Sequence, residues 1–185
     1  MALDLPRPVR SVLAQWAAER RRGLTGLRLI AERNLHVTLC FLGWRDEAEV
    51  EEIRGICRSV TETVTAGRGP VRLSVSAALW LPPRRPRVLA VELTDTEGRL
   101  ASVQSALARA LAAGGFYEPE DRPFLAHVTV ARVQRGVRIR PEPLSAPDVP
   151  AVTAAAVTLY RSRLKRSGAE YEALDSIPVG APSSG

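Results

Sequence analysis

The chain holds two histidines, His36 and His127, and each stands two residues before a threonine, Thr38 and Thr129. Side chains alternate along a strand, so His36 shares a face with Thr38, and His127 with Thr129. Each pair spans about 6.6 Å in a regular strand, a reach over which one small anion can touch both an imidazole and a hydroxyl. Val37, Leu39 and Phe41, like Val128 and Val130, then turn to the opposite face and can anchor each strand in a core. Two such strands brought together would set two imidazoles and two hydroxyls around one phosphate. That set suits acid–base cleavage of a phosphodiester. A neutral imidazole takes a proton from water, and an imidazolium gives one to the departing oxygen. Imidazole serves both tasks because its ordinary pKa of about 6.5 lies near neutrality. The threonine hydroxyls would hold the phosphate oxygens on which transition-state charge gathers. No metal or cofactor is needed. Spacing alone does not say which histidine is the acid.

A histidine on a half-buried strand ordinarily just packs, and a single His-x-Thr arises readily by chance. Here the motif recurs at equivalent points of an apparent duplication and uses every histidine present. Leu3-Asp4-Leu5 leads into a helical segment and then the strand bearing His36; Val91-Glu92-Leu93 leads into a helical segment and then the strand bearing His127. The distance from Asp4 to His36 is close to that from Glu92 to His127.

The elements that must carry these residues follow from periodicity. Val9, Val12, Leu13, Trp16 and Ala17 form one helical face after Pro6–Pro8. Val50, Ile53, Cys57, Val60 and Val64 form a second, behind the acidic start at Asp46–Glu52. Leu100, Val103, Gln104, Leu107, Ala108 and Leu111 form a third, closed by Gly114–Gly115. Strands are expected at Leu27–Ile30, Leu35–Leu42, Val71–Leu81, Val88–Leu93, Leu125–Val133, Val152–Tyr160 and Tyr171–Ile177. Pro82–Arg87 reads as a basic turn, Pro141–Pro150 as a connector, and Lys165–Gly168 as the turn of a terminal hairpin. Residues 1–179 are expected to form one catalytic domain of two pseudo-symmetric lobes, with 180–185 a disordered tail.

With 185 residues, 45% hydrophobic and 25% charged, the composition is that of an ordinary globular domain. No apolar run is long enough to cross a bilayer and the first residues lack the apolar core of a secretory signal, so a cytoplasmic protein without membrane contact is expected. The net charge is +6. Lys165 is the sole lysine, so the excess is almost all arginine, which fits either attraction to a polyanion or arginine-rich codon usage. Two cysteines make neither a disulfide framework nor a zinc site. Cys40 shares strand parity with His36 but stands about 13 Å away along a regular strand, too far for a nucleophile pair, so it is read as a packed thiol. Cys57 lies on a helical core stripe. Arg132 has the parity of Val128 and Val130, and reaches a ligand only if the strand twists or ends there. Phe41 has core parity, which favours packing, but lies near a strand end, where a base could stack on it. Asp4 suits either orienting a histidine or capping a helix. The arginines of Pro82–Arg87 and Arg161–Arg166 flank predicted turns and could steer an RNA backbone.

These motifs resemble the two-histidine (2H) phosphoesterases, in particular the RNA 2′,3′-cyclic phosphodiesterase group, also called 2′-5′ RNA ligases. The resemblance lies in Asn34-Leu35-His36-Val37-Thr38-Leu39-Cys40-Phe41-Leu42-Gly43 and in Arg122-Pro123-Phe124-Leu125-Ala126-His127-Val128-Thr129-Val130-Ala131-Arg132. The opening Ala2-Leu3-Asp4-Leu5-Pro6 and the segment Leu159–Leu164 with Gly168 and Tyr171-Glu172 support it. Met1 comes almost at once before that opening, so the first strand is expected to be short or the start late. The resemblance implies an α+β, bilobal duplicated fold: two antiparallel sheets flanked by helices around a central cleft. It implies hydrolysis of a ribose 2′,3′-cyclic phosphate on RNA ends or nucleotides to a 2′-phosphomonoester. It also implies His36 as proton donor, His127 as proton acceptor, and Thr38 and Thr129 as substrate-binding, with Arg132 and Phe41 as lesser candidates. A 2′-5′ RNA ligase acting on tRNA halves and a non-catalytic RNA-end binding protein are the alternatives; retention of both histidines and both threonines speaks against the last. No obligate protein partner is expected, and a monomer is the default.

Overall fold

A computed structural model describes residues 1–165 and 168–179. The centre of the predicted Lys165–Gly168 turn and the expected tail at 180–185 lie outside the described residues. The elements run β1 (Ala2–Asp4), α1 (Arg7–Gly23), β2 (Leu27–Leu29), β3 (His36–Thr38), α2 (Val50–Thr65), β4 (Arg72–Leu81), β5 (Val88–Thr94), α3 (Arg99–Ala113), β6 (His127–Val133), β7 (Val152–Thr153), β8 (Ala156–Lys165) and β9 (Gly168–Pro178). This is the expected α+β architecture, with antiparallel ladders throughout. No described helix is long and apolar enough to cross a membrane.

Each helix forms where its apolar stripe finds a partner. On α1, Val9, Leu13, Trp16 and Ala17 are buried, whereas Val12 at the stripe's margin is partly exposed. The start of α2 is set by a short 3-10 turn at Glu47–Glu49, where Asp46 and Glu49 form a reciprocal capping box. Its buried residues are Ile53, Cys57 and Thr61. On α3, Leu100, Val103, Leu107 and Leu111 are buried. The Asp95 carboxylate accepts the Arg99 and Ala101 amides at the start of α3. Leaving the first turn's amides without partners would cost stability, and this carboxylate also favours the positive end of the helix dipole.

The strands follow the order β7-β4-β5-β6-β3-β1-β8-β9, and β2 pairs separately with β6. Two wings, β7-β4-β5-β6 and β3-β1-β8-β9, thus meet at one ladder. That ladder carries a single registered pair, Val37↔Val128, and both valines are fully buried. The two halves mirror each other around it. Asp4 stands opposite His36 in the β1–β3 ladder, and Glu92 stands opposite His127 in the β5–β6 ladder. The echo in the sequence is therefore a cross-strand pairing repeated in each half.

Two expected strands differ in extent. The strand at 35–42 loses its regular alternation after Thr38, where the Met1 carbonyl accepts the amides of both Leu39 and Cys40 and the Met1 ammonium donates to the Cys40 carbonyl, so that two residues stand against one. The strand at 152–160 is broken at Ala154 and Ala155. Their amides bond to the carbonyls of Val71 and Asp4, so β7 joins β4 while β8 joins β1.

The helices and the inward face of the sheet share one core, in which Leu3, Val37, Leu89, Val91, Val128 and Val130 meet Leu13, Ile53 and Leu107. Leu107 is fully buried on α3. Leu107→Ala is expected to lower unfolding stability by about 2–5 kcal/mol, the range for an unrelieved leucine-sized cavity. Guanidinium unfolding checks this, and a loss below about 1 kcal/mol would be too small for a core position.

Candidate active site

Burying Val37 and Val128 turns their neighbours outward. His36, Thr38, His127 and Thr129 consequently line a single cavity of about 710 Å³, within the range of ordinary ligand sites. Asn34, Phe41, Trp44, Arg132, Tyr160, Arg161 and Tyr171 line it as well.

The two imidazoles are held alike. His36 Nδ1 is 2.9 Å from the Asn34 carbonyl oxygen, and His127 Nδ1 is 2.9 Å from the Leu125 carbonyl oxygen. A carbonyl can only accept, so each Nδ1 carries the hydrogen and donates it. That fixes the tautomer and leaves each Nε2 as the working nitrogen. The Thr38 hydroxyl lies 3.2 Å from His36 Nε2, so it donates to that nitrogen when the ring is neutral.

Their surroundings differ. The Tyr171 ring meets His36 edge-on at 5.2 Å and 81°, and Tyr160 lies tilted at 6.2 Å. The Tyr160 hydroxyl donates to Asp4 Oδ1 at 2.8 Å, and the Thr158 hydroxyl donates to Asp4 Oδ2 at 2.6 Å. Asp4 therefore anchors the ring that walls His36. It does not cap α1, whose N-cap is Pro6 without a side-chain cap bond. Burial lowers the His36 pKa from its ordinary value; the Asn34 bond and the Asp4 charge oppose this, while the Met1 ammonium and Arg132 add to it. Burial first, then the bond to Asp4, pushes Tyr160 up to about 12, so its hydroxyl stays protonated at neutral pH and can go on donating.

Arg132 reaches the cavity despite its parity, and the cause is a bulge. In the β5–β6 ladder Leu89 pairs with Ala131 but Ala90 pairs with Thr129, leaving Val130 as an extra residue. Val130 and Ala131 are both buried, and the alternation restarts with Arg132 on the face of Thr129. Bulges re-aim side chains in this way beside functional sites. Phe41 is not packed in the core. Because β3 ends at Thr38, Phe41 is 78% exposed and Trp44 80% exposed, and both line the cavity.

The remaining candidates divide. The arginines of 161–166 that are described lie on the cavity wall, but they are partnered: Arg161 pairs with Glu47 and Glu172, and Arg163 with Glu172. The exposed Pro82–Arg87 turn is not part of the cavity lining. The Cys40 thiol is buried and pushed up to about 11, and Cys57 to about 12, both by burial first, so both are inert thiols at neutral pH. Among the described residues, no three His, Cys, Asp or Glu side chains cluster so as to hold a metal ion. Tyr160, Tyr171 and Trp44 were not legible as cavity residues from spacing. The first two are visible in the sequence only as part of a hairpin, and Trp44 lies in a loop with no periodicity.

The sequence and the fold resemble those of known proteins. Residues 3–89 match the model of the LigT-like phosphoesterases. An RNA 2′,3′-cyclic phosphodiesterase of Aeropyrum pernix is 30% identical over 166 residues, covering 86% of this chain and 89% of that protein. An RNA 2′,3′-cyclic phosphodiesterase of Methanocaldococcus jannaschii is 22% identical over 94% of this chain and 96% of its own length. Among solved structures, a Thermus thermophilus protein superposes with a TM-score of 0.79 at 24% identity, covering 96% of this chain and 95% of that one. Escherichia coli LigT complexed with 3′-AMP superposes with a TM-score of 0.72 at 24% identity, covering 96% and 95%. At these identities the structural likeness shows the shared fold.

The walled position of His36 has a measurable consequence. In the free protein its imidazole should be mostly neutral at pH values where an ordinary histidine is half charged, near 6.5. Saturating inorganic phosphate should move its midpoint upward, since an anion beside the ring favours the imidazolium. An NMR titration of the two imidazoles checks both expectations. A midpoint at or above 6.5 without ligand would contradict the desolvated setting.

Proposed function

Because this chain belongs to the LigT-like phosphoesterase family, we propose that it hydrolyses the ribose 2′,3′-cyclic phosphate of RNA ends or nucleotides to a 2′-phosphomonoester. The observation that carries this reading is the single cavity onto which both His-Thr pairs open, with each imidazole tied at Nδ1 and presenting Nε2. The names of the Aeropyrum and Methanocaldococcus relatives support the substrate.

In the proposed reaction the cyclic phosphate lies between the two signature strands. His127 Nε2 takes a proton from a water as its oxygen bonds to phosphorus. The bond from phosphorus to the ribose 3′ oxygen breaks, and His36 Nε2 gives that oxygen its proton. The product carries a 2′-phosphate and a free 3′ hydroxyl. His36 must be charged to act as acid, although burial disfavours the charge in the free protein. The bound phosphate supplies the missing counter-charge, so the acid is armed by its substrate. Thr38 then exchanges its bond to His36 for one to a phosphate oxygen, and Thr129 does the same work from the opposite strand. Arg132, on the cavity wall, adds positive charge to the field that draws a phosphate ester in. Phe41 at the rim offers a ring on which a base can stack.

Incubation with 2′,3′-cyclic nucleotides in the presence of a chelator tests the reading. The expected product is the 2′-phosphomonoester, and absence of any such product would overturn it. His36→Ala and His127→Ala should each lower kcat/KM by about 10²–10⁴-fold, with circular dichroism unchanged. The rate should also rise and fall with pH, as one acid and one base require. If both variants kept full activity, the assignment of the two histidines would fail.

A further inference from the structure

Past the catalytic cavity, the β2–β6 ladder places Arg28 directly opposite Arg132. Cross-strand partners share a face, so Arg28 lies on the face from which Arg132 lines the cavity. Ile30, two residues on and therefore on that same face, lines the cavity too. Like charges directly opposite one another destabilise a sheet unless an anion lies between them. Among the described residues neither guanidinium makes an ion pair, whereas Arg161 and Arg163 across the cavity are matched to Glu47 and Glu172. Both Arg28 and Arg132 are exposed, so the pair is open to a ligand. The basic turn at Pro82–Arg87 adjoins this end, for the Arg87 carbonyl accepts the Val133 amide next to Arg132.

We propose that Arg28, together with Arg132, seats the phosphate that joins the terminal nucleotide to the rest of an RNA chain, making an oligoribonucleotide the preferred substrate over a cyclic mononucleotide. The proposal rests on the phosphodiesterase reading above. A guanidinium fork grips a phosphate through two parallel hydrogen bonds, and two forks facing one anion relieve the repulsion between them. A mononucleotide has only the reacting phosphate and leaves Arg28 without a ligand. A dinucleotide ending in a 2′,3′-cyclic phosphate supplies a second phosphate on the 5′ side. The arginines of the 82–87 turn then lie where further phosphates of a longer chain would pass.

The test compares the two substrates in wild type, Arg28→Ala and Arg28→Lys. The readout is the ratio of kcat/KM for the dinucleotide to kcat/KM for the mononucleotide. Arg28→Ala should lower that ratio by about tenfold, as expected for one lost charge-assisted contact. Arg28→Lys should restore part of it, since the charge remains but the fork does not. The slope of log kcat/KM for the dinucleotide against log salt should fall by about one in Arg28→Ala. A ratio and slope within error of wild type would overturn the proposal. If the wild type turned over neither substrate, the phosphodiesterase reading would fall separately. Equilibrium binding of a dinucleotide carrying a 2′-phosphate, against a nucleoside 2′-phosphate, would then decide the Arg28 question. Equal weakening of both ligands, or of neither, would overturn it.

Discussion

The site depends on one buried contact, the pairing of Val37 with Val128 where the two wings of the sheet meet. Strand side chains alternate with a period of two, so burying these valines forces His36, Thr38, His127 and Thr129 to the opposite face. A slip of one residue in either strand would bury the imidazoles and expose the valines. The large apolar cost of such a slip fixes the register, and the register fixes the chemistry. The same logic repeats one strand further out, where Asp4 faces His36 and Glu92 faces His127. A duplicated unit joined about this seam therefore yields two histidines with equivalent backbone settings.

Equivalent settings are not equivalent environments. Each imidazole is tethered through Nδ1 to the carbonyl two residues before it, which gives both the same tautomer. The terminal hairpin then breaks the symmetry. It brings Tyr160 and Tyr171 onto His36 alone, and Asn34 Nδ2 donates to the Ala169 carbonyl at 2.8 Å to hold β9 against the first signature. Asp4, itself part of the duplicated pattern, is satisfied by hydroxyls from this hairpin. The proposed acid and base would need different surroundings even though both are imidazoles. Among the described residues the hairpin's ring contacts fall on His36, so the two imidazoles have different surroundings.

Much of this was legible in the sequence because it follows from period and count. The His-x-Thr spacing, the three apolar helix stripes and the Asp4–His36 and Glu92–His127 echo are all local patterns, and each corresponds to an element or a registered pair. What stayed hidden depends on partners far along the chain. Arg132 reaches the cavity through an extra residue at Val130, and nothing in Val128–Arg132 itself marks a bulge. Phe41 has the parity of a core residue, but Met1 takes the amides of Leu39 and Cys40 and breaks the alternation before that parity applies. Asp4 at the mouth of a helix reads either as a cap or as a partner for a histidine until a tyrosine over 150 residues later claims its oxygen. The break at Ala154–Ala155 likewise reflects two separate strands competing for one apolar run.

The basic excess gains meaning only from placement. A surplus of arginine spread over a surface is consistent with many roles, and paired arginines add little beyond rigidity. Around this cavity the arginines are not equivalent. Arg161 and Arg163 already answer to Glu47 and Glu172, and an incoming phosphate would have to compete with those carboxylates. Among the described residues Arg28 and Arg132 pair with no carboxylate, and they oppose one another across a ladder. The free protein keeps that repulsion, and a polyanion arriving at the cavity would relieve it. The electrostatic attraction of the site thus lies on its β2–β6 side, away from the hairpin that walls His36. A chain entering from that side would lay its terminal phosphate between the two imidazoles and its preceding phosphate between the two guanidinium groups. On the proposed reading, one end of the cleft serves the chemistry and the other holds the polymer.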